Sequence, residues 1–127
     1  MKYFYKIFIL LLIFSSCHGG FIDPAYLEVI NNPLKGHRNP EVMISQLLFS
    51  ISGYNDFEKV RAIHDWIIMN VEYDYPLYYS DALSYYNGLI NSQSYYNVLA
   101  TGLAVCGGYA NLFKELCDRV KIPCVKI

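Results

Sequence analysis

The sequence predicts an α+β chain, mainly the helical half of its domain with the start of a sheet. Three observations carry this. Val60, Ile63, Ile67 and Val71 recur at spacings of three and four, and so do Tyr109, Ala110, Phe113, Leu116, Cys117 and Val120; that is the period of a helix with one apolar face. Asn39, Pro40 and Glu41 form a helix start of cap, first-turn proline and acidic residue. The closing "CVKI", residues 124–127, is β-prone.

Residues 1–16 read as a signal peptide rather than fold. Lys2 and Lys6 flank the start of an apolar run from Ile7 to Phe14, followed by Ser15 and Ser16. Such a run is too short to span a bilayer as an anchor. "FSSC" followed by "HGG" is similar to a bacterial lipobox, with Phe14 where leucine is usual, so Cys17 is the expected lipidation site. That predicts an exported protein of the cell envelope, lipid-anchored at a membrane surface, in a compartment where thiols can oxidise. Cleavage would remove two lysines and leave eight basic against eleven acidic residues, a charge near −3.

Residues 17–38 carry Gly, Pro and Asn breakers and read as an N-terminal tether or irregular edge. The partial domain is expected over 39–127. Its first helix runs from Pro40 to about Ser50, with Gly53 past its end. Asn55 or Asp56 caps the second helix, which places Trp66 beside the core stripe. His64 and Asp65 fall at the edge of that stripe, where a lone histidine is expected to be solvated or hydrogen-bonded.

The stretch "YDYPLYYSDALSYYNGLINSQSYYN", residues 73–97, is rich in Tyr, Ser and Asn. It reads as a long connection with one helical turn near Asp81 to Tyr86. Its aromatics either pack on one another or line a cleft for substrate, carbohydrate or protein. A third helix starts near Cys106 and carries Lys114, Glu115, Asp118 and Arg119 on its polar side. "KIP" stops it, because the residue before proline is pushed out of helical angles. The apolar stripe on this helix needs a sheet to cover it.

Composition bounds the function. The chain has 127 residues, 54% of them apolar and 17% charged, with a net charge of −1 and no basic run. One modest domain fits this length, and nothing suggests a nucleic-acid partner. His18, His37 and His64 are scattered without paired ligands, so neither a metal site nor a cofactor is expected. Cys117 and Cys124 either pair or remain as two thiols buried in the third helix and the strand after it.

Cys106 is the residue with chemistry to offer. A cysteine at a helix N-terminus meets unpaired N–H groups that favour thiolate. Gly107 and Gly108 remove side chains where a substrate backbone would approach, and the backbone N–H groups here, with Tyr109 following, are candidate oxyanion donors of a substrate cleft. A base is also required, normally a histidine oriented by a third group. No histidine follows Cys106.

The wider string narrows the choice. "KVRAIHDWIIMNVEYD" and then "LAVCGGYANLFKELCDRVKIPC" resemble the transglutaminase-like superfamily of cysteine enzymes, whose pattern is "A..I..WI..N..YD" and then "G.A.C.GYA..F..LC...GIPC". Lys59, Ala62, Ile63, Asp65, Trp66, Ile67, Asn70, Tyr73 and Asp74 match the first part. Gly102, Ala104, Cys106, Gly108, Tyr109, Ala110, Phe113, Leu116, Cys117, Ile122, Pro123 and Cys124 match the second. Lys121 stands where the family has glycine.

The resemblance implies a papain-like arrangement, a helical half bearing the nucleophile Cys106 and packed on an antiparallel sheet. It implies thiol attack on amide bonds of a peptide or protein substrate, as protease, peptidase or acyltransferase. The family's histidine and aspartate come later, so the expectation is a domain truncated before both and inactive alone. The other function class open to the sequence is a non-catalytic surface lipoprotein that binds a protein or glycan through its helical half and Tyr-rich stretch.

Overall fold

The computed structural model describes residues 24–31 and 39–126. The expected signal peptide, the lipidation site Cys17, His18 and His37 lie outside the described residues.

Helix α1 (Pro24–Asn31) falls inside the stretch expected as an irregular tether. The correction has a packing cause. Ile30 is buried and Tyr26 and Leu27 lie against the core; burial on a neighbouring helix outweighs the breakers on either side.

Helix α2 (Pro40–Ser50) starts as expected. Asn39 accepts the N–H groups of Glu41 and Val42, and Pro40 occupies the first turn. Helix α3 (Asp56–Asn70) opens with a reciprocal capping box: Asn55 accepts Glu58 N–H at 3.0 Å and Glu58 accepts Asn55 N–H at 3.0 Å. Ala62, Ile63, Trp66 and Ile67 form its buried face. Asn70 ties α3 to α1 by donating to Ile30 O at 3.3 Å.

Strand β1 (Glu72–Tyr73) follows α3 directly. It pairs in parallel with β2 (Leu103–Ala104), Tyr73 opposite Ala104. A parallel pair needs a crossover of a dozen residues or more. The Tyr-rich stretch is that crossover, and it is helical rather than the long connection expected. It forms α4 (Tyr75–Tyr78), α5 (Ala82–Ser92) and α6 (Tyr95–Thr101).

Polar residues that read as loop formers are the caps of these helices. Asp74 accepts Leu77 N–H, Asp81 accepts Leu83 and Ser84 N–H, and Ser94 accepts Asn97 N–H. Gly102, at φ 74°, ends α6 in the left-handed region and turns the chain into β2.

Helix α7 (Cys106–Arg119) crosses the core. Leu112, Leu116 and Cys117 are buried against α3 and α6 together with Ile63, Trp66, Val98 and Leu99. At the far end, Arg119 donates to both Glu41 oxygens at 2.7 and 3.1 Å and to Glu115 at 2.8 Å. This joins the last turn of α7 to the first turn of α2, each charge on the favourable end of its helix dipole.

The expected strand at "CVKI" is not formed over Cys124–Lys126. A strand exists only through a partner, and no other strand lies beside this segment among the described residues. Val125 is left exposed. The fold is therefore α+β, mostly helical with one short parallel pair. No helix among the described residues is long and apolar enough to cross a membrane.

Candidate active site around Cys106

The β1–β2 pair delivers the chain to the start of α7. Glu72 N–H donates to Gly102 O and Asp74 N–H to Ala104 O, both at 2.8 Å. Val105 is the N-cap in extended conformation, with no capping side chain of its own. Cys106 is the first residue of the helix and is exposed.

The neighbouring backbone is held from two sides. Val105 N–H donates to Gln93 Oε1 at 2.9 Å, and Val105 O accepts Gly108 N–H at 2.9 Å and Tyr109 N–H at 3.2 Å. The N–H groups of Cys106 and Gly107 are then the first-turn donors that the helix itself leaves open. Open N–H groups at a helix start are the donors an oxyanion can use.

The two glycines do different work. A Cβ on Gly107 would meet nothing within 4 Å, so this position faces open space beside the thiol. A Cβ on Gly108 would lie 2.3 Å from Gln93 Oε1 and 2.9 Å from both Ala104 Cβ and Val98 Cγ2. Gly108 is therefore buried at a close approach of α7 to the crossover, and its N–H already has a partner. Tyr109 turns its ring inward. Its hydroxyl donates to Val71 O at 3.1 Å, and its ring stacks on Tyr73 at 6.4 Å and 16°. Burial, and next the nearby Cys106, push the Tyr73 phenol above its ordinary pKa.

Gln93 is the site residue that the sequence did not reveal. It is 3% exposed, its carbonyl O accepts from Asn111, and its side-chain amide donates to Ser92. A glutamine in a Ser- and Asn-rich stretch carries no signal for this role; only the crossover brings it beside Val105.

His64 lies on α3. It is exposed, with Nδ1 at 2.9 Å from Asp65 Oδ1. Asp65 is itself buried, accepts from the Tyr26 hydroxyl and lies 3.8 Å from Arg61. The His64 ring lines an apolar groove with Ile67, Ile68, Tyr109, Ala110 and Phe113. Phe113 is two turns along α7 from Cys106, roughly 10 Å at the helical rise. The structure thus supplies an orienting carboxylate for His64 and sets its ring in a groove lined along α7 from Tyr109 to Phe113. Among the described residues no group of three or more His, Cys, Asp or Glu is gathered as a metal site would need.

A family model, the transglutaminase-like superfamily, matches residues 46–125. The chain belongs to the transglutaminase-like superfamily. The match runs from the second half of α2 through the cysteine helix. No curated protein and no solved structure matched the chain. Family membership supports thiol-based amide chemistry and, at a coarse level, a protein or peptide substrate.

Proposed function

We propose that Cys106 is the nucleophile of an acyl-transfer site that acts on peptide amides. The Cys106 sulfur attacks the carbonyl carbon, the C–N bond breaks, and the proton of the thiol leaves on the amine. A thioester on Cys106 remains, to be resolved by water (a peptidase) or by another amine (a transferase). One observation carries the reading: an exposed cysteine at N1 of a long core helix, with two open N–H groups and an unobstructed flank at Gly107.

Among the described residues the one histidine, His64, lines the groove with Tyr109, Ala110 and Phe113. The sequence of residues 1–17 supports export with Cys17 lipidated, so the site would work at a membrane surface; loss of radiolabelled-palmitate incorporation in Cys17→Ser tests that part.

The test of the nucleophile is competitive labelling by iodoacetamide at neutral pH, read by peptide mass spectrometry. Cys106 should react at least tenfold faster than Cys124 and Cys117. Equal rates at Cys106 and Cys124 would remove it as a nucleophile.

A further inference from the structure

Between Tyr75 and Thr101 the only charged residue is Asp81. Its carboxylate is engaged as the cap of α5 by Leu83 and Ser84. Around it Tyr75, Tyr78, Tyr79, Leu83, Tyr86 and Ile90 are each more than half exposed. Leu83, Tyr86 and Ile90 lie at i, i+3 and i+7, one stripe of α5. Large side chains left together in water mark an interaction surface.

The patch is continuous with the nucleophile. Tyr109, in the first turn of α7, stacks on Tyr73. Tyr73 meets Tyr75 at 5.0 Å and Tyr78 at 5.8 Å, and Tyr79 meets Tyr75 at 6.3 Å and Tyr78 at 5.1 Å. Tyr73 is also the β1 residue paired with Ala104, two residues before Cys106. A row of rings therefore runs from the Cys106 turn outward onto α4.

We propose that this surface is the docking platform for the acyl-donor polypeptide, and that it selects peptides whose residues beside the reacting amide are uncharged and apolar. The proposal rests on Cys106 as the nucleophile. Tyrosine rings with Ser and Asn between them give broad contact area at low entropy cost and hydrogen bonds suited to peptide groups. The platform has no free charge to pair with a substrate charge, so seating one would strip its water without compensation.

The experiment uses the full chain and two chloroacetyl peptides of equal length. One carries Phe and Leu beside the electrophile, the other Lys and Glu. Cys106 Sγ displaces chloride, and the half-saturating concentration reports docking. Rates are normalised to each protein's own iodoacetamide rate. The apolar peptide should saturate at roughly tenfold lower concentration than the charged one. Tyr75→Ser with Tyr79→Ser, both at exposed positions, should raise its half-saturation by about tenfold. Equal half-saturation for the two peptides, or no change in the variant, overturns the proposal. So does inhibition of labelling by a neutral oligosaccharide with no saturation by the apolar peptide, which would make the surface a glycan site. A failed nucleophile reads differently: Cys106 would be slow to iodoacetamide, while Tyr-dependent binding of the unreactive acetyl peptide, followed by anisotropy, would still support the platform.

Discussion

Gln93 Oε1 accepts the Val105 N–H at 2.9 Å, and so a side chain from the end of α5 fixes the residue that caps the nucleophile's helix. Both residues are buried. Gln93→Met keeps the volume and removes the acceptor, which leaves a buried N–H unsatisfied at a cost of about 1–3 kcal/mol. The variant should unfold at correspondingly lower urea concentration, and Cys106 should label more slowly once its turn is no longer held. Unchanged stability would mean that water or a backbone shift satisfies Val105.

The glycine pair next to Cys106 should respond in opposite directions. Gly108→Ala forces a methyl group onto Gln93, Ala104 and Val98, and should cost about 1–3 kcal/mol as overpacking. Gly107→Ala meets open space in a helical position and should stabilise by roughly 0.5–1 kcal/mol. If Gly107 is glycine to admit substrate, its alanine variant should label more slowly with a bulky chloroacetyl peptide than with iodoacetamide. Equal costs for the two variants would refute the division of roles.

The helices were legible wherever an apolar stripe and a cap coincided. Asn39 with Pro40 marks the start of α2, and Asn55 or Asp56 that of α3; α7 has no capping side chain and is legible from its stripe. The crossover was not legible, because Asp74, Asp81 and Ser94 are loop formers by composition and helix caps by position; only the backbone says which. The stripe read from Tyr109, Phe113, Leu116 and Val120 misses Leu112, which lies one turn from Gly108 and Leu116 and is fully buried. The β1–β2 pair could not be read at all. Two residues per strand carry no period, and their partner lies across the whole crossover. Gln93 shares that problem, since a contact made by topology leaves no local trace.

Lys121 explains the family's glycine. It is the only non-glycine residue at positive φ among those described, at 63°. Lys121 N–H donates to Asp118 O at 3.1 Å and Ile122 N–H to Cys117 O at 3.0 Å, the paired bonds of a Schellman end to α7. A side chain in this left-handed conformation costs about 1–2 kcal/mol. Lys121→Gly should recover about 1 kcal/mol in urea melts, and Lys121→Val should lose stability. A destabilised glycine variant would mean that the lysine side chain makes up for its own strain.

Cys117 gives a pH dependence whose sign is fixed. Its thiol is buried at the core end of α7; desolvation, and then the neighbouring Cys124, push its pKa from 9.0 up to about 11. The folded state therefore holds this proton more tightly than the unfolded chain does. The stabilisation is complete below the unfolded value and is lost as pH rises from about 9 to about 11, at up to about 1.4 kcal/mol per pH unit. Tyr26, raised by burial and by Asp65, contributes a loss of the same sign, as it also will in Cys117→Ala. The difference in slope between the two proteins therefore belongs to Cys117. Urea melts at pH 8, 9, 10 and 11 should show wild type losing stability more steeply than Cys117→Ala. Parallel slopes would mean that Cys117 ionises as readily folded as unfolded, and that the thiol is not sealed in the core.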